Sequence, residues 1–384
     1  MSKYAIINGR IYTEEETIER GYIIVNNDKI HAIEVGDYNG NLKTFDAHGE
    51  NILPGFIDIH IHGGYGEDVM DGSYKGLKHL SKQLLSEGTT AFLATTMTQS
   101  DSNIEKALKN ISEYKEKQQK DQSAEIIGIH LEGPFISEYK VGAQNPKYVQ
   151  RPSVDKINHF QKLSNKQIKI ITFAPEVENA LPTLDMLHDN IIFSIGHTAA
   201  DFEQVNKATK HGARHITHLY NAGTSFHHRD PGVFGAAWTN ENLKTELIVD
   251  GVHSHPTSVK IAYKMKGKEH FYLITDAMRA KGKSDGEYDL GGQSVIVKGK
   301  EARLKTGSLA GSILKMNEGL RNLIYFTEDT LDNLWRVASL NQAKSLGIDE
   351  YKGSIKVGKD ADIVIVDDEI NVKATIKSGV KYIY

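Results

Sequence analysis

Residues 54–64 read Pro54-Gly-Phe-Ile-Asp-Ile-His-Ile-His-Gly-Gly64, an apolar run that ends in two histidines one residue apart. Side chains alternate faces along an extended strand, so His60 and His62 point the same way and Ile61 points the other. Two metal-ligand groups therefore come preassembled, and Gly63-Gly64 lets the backbone turn away without crowding an ion held between them.

The same texture recurs downstream. Apolar strand-like runs occupy residues 55–60, 90–95, 125–131, 168–174, 191–196, 215–219, 246–251 and 271–276. Amphipathic stretches at 74–86, 103–117, 200–210 and 257–264 separate many of them. Near-continuous apolar strands alternating with helices belong to parallel sheets covered on both faces. Eight such units predict an α/β fold, a (β/α)8 TIM barrel over residues 54–346, with a doubly wound open sheet as the competing architecture.

Outside the barrel, residues 1–53 and 347–384 read as short strands with Asn-Gly and Asn-Asp turns. Neither piece is long enough to close a core alone, so the two ends are expected to pair into one small β-sandwich domain.

Composition narrows the function. The 384 residues carry 46 Lys plus Arg against 50 Asp plus Glu, a formal charge of −4, which gives no basic field for nucleic acid or an anionic membrane. There is no run of 18 apolar residues and no signal peptide, so the reading is a soluble cytoplasmic protein. With no cysteine, disulfides, thiolate nucleophiles and Cys-ligated metals are excluded. Seventeen histidines remain, and a metal site here must use imidazole and carboxylate.

Barrel enzymes build their sites at the C-terminal ends of the strands. Six of the eight predicted strands end there in ionisable groups: His60 and His62, His130 with Glu132, His197, His218, Asp250 with His253, and Asp276. Each has a bland alternative, such as an ion pair for Glu132 or a satisfied core histidine for His197 and His218. A shared ion accounts for all of them with one cause. Asp276, ending the last strand, is placed to take a proton from an activated water and hand it to a leaving amine. His253 is a substrate-contact candidate, and His255, before Pro256, reads as structural.

These motifs resemble the amidohydrolase superfamily and, within it, the N-acetylglucosamine-6-phosphate deacetylase family. The most specific are His130-Leu-Glu-Gly-Pro-Phe135 and His218-Leu-Tyr-Asn-Ala222, joined by Gly196-His-Thr198, Asp250-Gly-Val-His253, Thr275-Asp-Ala277 and Leu309-Ala-Gly-Ser312. The resemblance implies hydrolysis of N-acetyl-D-glucosamine 6-phosphate to D-glucosamine 6-phosphate and acetate, in amino-sugar catabolism and cell-wall recycling. It makes Glu132 the bridging carboxylate, where other amidohydrolases use a carboxylated lysine; the fourth strand here ends Thr172-Phe-Ala-Pro-Glu176 with no lysine. It assigns His197 and His218 with Glu132 to one ion and His60 with His62 to a second. Some relatives lack the His pair and work with one ion; this chain keeps it, so two divalent ions are expected, with zinc, iron, manganese and cobalt open. The implied substrate contacts are Asn221, Ala222, His253 and Leu309, with Arg229 supplied to the phosphate by the neighbouring subunit of a homodimer. Gln144 stands where some relatives have histidine; it can hydrogen-bond substrate but cannot change charge near neutral pH.

Two rival readings are a different amidohydrolase, such as an adenine deaminase or cyclic-amide hydrolase, and a barrel that has lost catalysis and serves as a scaffold. The stretch 279–308 reads equally as a lid or as a plain surface hairpin, and Ser312 as a helix cap.

Overall fold

The structure is a computed structural model that describes residues 3–384. Its centre is a barrel of eight parallel strands in sequential order: β1 (Phe56–Ile61), β2 (Thr89–Thr96), β3 (Glu125–Glu132), β4 (Ile168–Phe173), β5 (Ile192–Ile195), β6 (His215–Ile216), β7 (Lys244–Ile248) and β8 (Phe271–Ile274). A doubly wound sheet reverses its strand order part-way, and this one does not. The seam between β8 and β1 closes just past the strand ends, where Asp276 N–H donates to His60 O at 2.8 Å and His62 N–H to Ala277 O at 2.9 Å. Every residue of β1 and β2 is buried, as strands covered on both faces require.

The helices between strands start where the sequence supplies caps. Ser100 accepts from Asn103 N–H ahead of Asp101–Lys117, and Asp201 with Gln204 forms a capping box ahead of Phe202–Lys210. His255 caps Pro256–Lys266 by accepting from Thr257 N–H. No helix among the described residues is long and apolar enough to cross a membrane.

Eight further strands form a separate sheet from both chain ends. Asn51–Pro54 runs antiparallel to Ile363–Val366, which stitches the termini together. Lys3–Tyr12 pairs along one edge first with Lys43–Asp46 and then with Asn51–Pro54, so the sheet forks around its own core of Ile6, Ile23, Val25, Ile52, Ile363 and Ile376. At the N-terminal rim of the barrel, Lys352 Nζ sits 2.9 Å from Glu125 and 2.8 Å from Asp362, and Lys377 2.9 Å from Asp362. These four buried charges are mutually paired, which makes their burial tolerable.

Two expectations change. Ser312 caps no helix: the next one begins at Met316, and the buried Ser312 hydroxyl donates to Thr275 O at 2.5 Å, tying the chain to the end of β8. The sixth strand stops at Ile216 instead of Leu219 because His218 adopts a left-handed backbone with φ 27°, which takes the chain off the ladder. The stretch after β8 forms a three-stranded antiparallel meander, Gly286–Leu290, Gln293–Lys298 and Glu301–Leu304, with Gly291 and Gly292 both at positive φ in the first turn.

Candidate active site

At the C-terminal mouth, Glu132 is the hub. His60 Nε2, His197 Nε2 and His218 Nε2 lie 3.4, 3.2 and 3.0 Å from its Oε1, and His62 Nε2 lies 3.1 Å from its Oε2. Asp276 Oδ1 stands 3.1 Å from His62 Nε2 and 3.5 Å from His60 Nε2. All six residues are buried. Three triplets of donor atoms result: His60-His62-Glu132 and Glu132-His197-His218, which share Glu132, and His60-His130-Glu246 behind them.

The donor set fits divalent metal. His197 and His218 turn their Nε2 atoms toward each other at 3.1 Å, and the buried His60 Nε2 has no hydrogen-bond partner. Spacings of 3.0–3.4 Å between donors match the edges of a tetrahedron with bonds of about 2.0–2.1 Å. On the far side of each ring, Nδ1 of His60, His62 and His197 donates to Glu246 Oε2, Thr95 O and Lys140 O at 3.0, 3.2 and 3.0 Å. That fixes the tautomer with Nε2 as the free donor atom, as outer partners of metal-binding histidines do.

The electrostatics ask for a cation at the same point. Burial alone lowers the His62 imidazole, but its hydrogen bonds to Asp276 and Glu132 outweigh this and push it up to about 10. His60 is likewise raised well above its ordinary range, burial again opposing and Glu132 and Asp276 prevailing. Against the opposing effect of burial, His60 and the neighbouring imidazoles hold Glu132 well below the carboxylate range, and His60 and His62 bring Asp276 down to about 2. A divalent ion held by these residues would stand in for these protons. His197, His218, Ala222 and Asp276 all sit at positive φ, between 27° and 48°, so the turns that aim these side chains are strained.

A cavity of about 310 Å³ opens above the cluster. Asn221, Ala222, His253 and Leu309 line it. Asp250 orients His253 by accepting from Nδ1 at 2.7 Å and from its backbone N–H at 2.8 Å. Gln144 also lines the cavity, but both ends of its amide are engaged: Nε2 donates to Glu132 Oε2 at 2.6 Å, and Oε1 accepts from Thr98 N–H at 2.7 Å. Arg229 does not join the others. It lies on an exposed loop, its Nη1 2.7 Å from His228 Nε2, away from its own chain's cavity.

Three further residues brace the cluster, and of these Glu246 escaped sequence reading. Glu246 braces His60 and also accepts from His218 N–H at 3.4 Å. His130, whose imidazole burial and the neighbouring His60 lower well below its ordinary range, is held by Ile59 O and Thr172 Oγ1 behind the cluster. Asp58 accepts from Thr275 Oγ1 at 2.5 Å and joins β1 to the last strand. Glu246 had the signal that exposed Glu132, a carboxylate within an apolar strand; His130 and Asp58 stand in motifs the sequence marks, but their bracing contacts are set by the fold.

A parallel barrel with imidazole and carboxylate donors converging at its C-terminal mouth defines a metal-dependent barrel hydrolase. The family model described as amidohydrolase family matches residues 51–381. The chain is 47% identical over 373 residues to N-acetylglucosamine-6-phosphate deacetylase of Bacillus subtilis (strain 168), covering 96% of this chain and 94% of that one. It is 34% identical to N-acetylgalactosamine-6-phosphate deacetylase of Escherichia coli O157:H7, with 95% of both covered. The crystal structure of N-acetylglucosamine-6-phosphate deacetylase from Pasteurella multocida superposes with a TM-score of 0.94 at 30% identity, over the full length of both chains. The chain belongs to the amidohydrolase family and, within it, to the N-acetylglucosamine-6-phosphate deacetylases.

Proposed function

We propose that this enzyme removes the acetyl group from N-acetyl-D-glucosamine 6-phosphate, releasing D-glucosamine 6-phosphate and acetate in the cytoplasm. The observation that carries the reading is the convergence of His60, His62, Glu132, His197, His218 and Asp276 beneath one cavity. Catalysis is assigned to residues 54–346, with residues 1–53 and 347–384 as the small β domain.

In this reading His197 and His218 with Glu132 would hold one divalent ion and His60 and His62 with Glu132 a second; zinc, iron, manganese and cobalt all suit the donors. Metal bound there supplies Lewis acidity, which makes water a stronger nucleophile near pH 7 and an amide carbonyl a better electrophile. Asp276 accepts one proton from the attacking water and returns it to the nitrogen as the C–N bond breaks, so the amine leaves as –NH2 and the acetic acid formed gives up its remaining proton to become acetate. His253, fixed by Asp250, offers its remaining ring nitrogen to the sugar, beside Asn221, Ala222 and Leu309. Gln144 acts as a positioning residue for Glu132. In a homodimer, the partner's Arg229 completes the phosphate site.

Acetate release from the 6-phosphate sugar, compared with its unphosphorylated counterpart and its C4 epimer, before and after chelation, tests the proposal. Chelation-sensitive release that favours the phosphorylated sugar supports it. An enzyme inactive on all three, or indifferent to metal removal and restoration, refutes it.

A further inference from the structure

Charge around the cavity is uneven. Among the described residues that line it, four are histidines, two are the acids Glu132 and Asp276, and Arg303 is the single Lys or Arg. A sugar phosphate brings close to two negative charges at pH 7, and it enters a pocket already carrying two carboxylates. The ions proposed for the cluster lie at the acetamide end of the substrate, so a guanidinium suits the phosphate end, and within one chain Arg303 is the group at hand.

The meander aims it there. Arg303 forms an antiparallel bridge with Leu309, and residues facing each other across such a ladder project to the same side. Leu309 lines the cavity, and so does Arg303. Ala302 faces the other way, into the small core with Val295 and Val297. Two contacts hold the guanidinium: Nε donates to Glu301 Oε2 at 2.7 Å, and Nη1 to Gly307 O at 2.8 Å. They use two of its five N–H groups, and Nη2 makes no hydrogen bond among the described residues. Gly307 and Ser308, in the turn that carries these contacts, also line the cavity.

We infer that Arg303 reads the anionic end of the substrate from within the same chain, making the 286–304 meander a specificity element of the deacetylase. The inference rests on the proposed reaction. A planar guanidinium already oriented by Glu301 and Gly307 can direct its free edge at phosphate oxygens with little further loss of freedom. Selection for a phosphorylated sugar then persists in a single subunit, whatever an arginine from a second subunit adds.

The test is steady-state kinetics of R303M and R303K on N-acetylglucosamine 6-phosphate and on unphosphorylated N-acetylglucosamine, with metal content and melting temperature measured alongside. A hydrogen bond to a charged partner corresponds to about ten- to a hundredfold in binding. R303M is expected to raise KM for the phosphorylated sugar by about that factor, with kcat much less affected, so that the kcat/KM preference for phosphate falls in step. R303K, which keeps a point charge, should recover part of it. An unchanged preference in R303M overturns the inference, as does an equal loss on both sugars, which marks a structural role. Should R303M fold poorly, R303K and R303Q decide the matter by the same ratio. A wild-type enzyme inactive on both sugars brings down the deacetylase reading and this one together; an active wild type with a phosphate-indifferent Arg303 removes only this one.

Discussion

Replacing Glu246 with glutamine isolates what one buried carboxylate contributes to the metal centre. Glu246 lies on β7, fully buried, with Oε2 3.0 Å from His60 Nδ1 and 3.4 Å from the His218 backbone nitrogen. Glutamine fills the same volume, so the packing of β7 is kept and the charge on the acceptor is removed. A hydrogen bond to a charged group contributes about 1.5–3 kcal/mol and a neutral one about 0.5–1.5, a difference of about 1–1.5 kcal/mol. That corresponds to roughly tenfold weaker metal binding, at the lower end of what outer partners of metal-binding histidines provide. A second effect is separable from the first. Glu246 Oε1 has no hydrogen-bond partner, so an amide N–H2 placed there is a buried donor without an acceptor, costing about 1–3 kcal/mol of stability with or without metal. The assay is competition with a chelator of known affinity on stripped and reloaded E246Q, together with urea unfolding of the metal-free form. Affinity within twofold of wild type would show that Glu246 does not tune His60 as a metal ligand.

Three other outcomes follow from the same geometry. Asp276→Asn is expected to retain wild-type metal content and lose about 10²–10⁴-fold in kcat, the usual contribution of a proton carrier; retained turnover removes Asp276 from the mechanism. Gly196→Ala places a Cβ 2.5 Å from Thr217 Cβ, beside His197 and His218, so the chain must shift there. We expect a loss of about 1–3 kcal/mol in the metal-free protein and weaker metal binding, read by melting curves with and without metal; an unchanged pair of curves contradicts this. At the opposite rim, burial opposes ionisation of Glu125, but Lys352 and Lys377 hold its carboxyl at about 2, against 4.5 unfolded. Its contribution, of order 3 kcal/mol, is present above about pH 4.5 and lost as pH falls toward 2. Urea unfolding of the metal-free enzyme should therefore show a slope through that window that Glu125→Gln flattens.

Much of this molecule is legible along the chain because the relevant information is local. Apolar runs broken by polar ends mark the barrel strands, and alternation along a strand suffices to set His60 and His62 on one face of β1. The pairing of the terminal pieces is also expected once neither can close a core alone, and Asn51–Pro54 against Ile363–Val366 realises it. Family motifs supplied the rest of the donor set, His130-Leu-Glu132 and His218-Leu-Tyr-Asn221 above all.

Barrel closure decided the remainder. Glu246 reaches His60 across 186 positions of sequence, and Gln144 turns its amide onto Glu132 and Thr98, contacts that no periodicity encodes. The left-handed turns at His197, His218 and Asp276 arise where strands leave the sheet, and they shorten β6 to two residues. Nothing along the chain singles out Arg303 within residues 279–308; its cross-strand pairing with Leu309 faces it to the cavity, whereas Arg229 lies outside the cavity of its own chain. Spacing along a strand fixes which face a side chain takes; which atom meets which depends on where the eight strands bring their ends together.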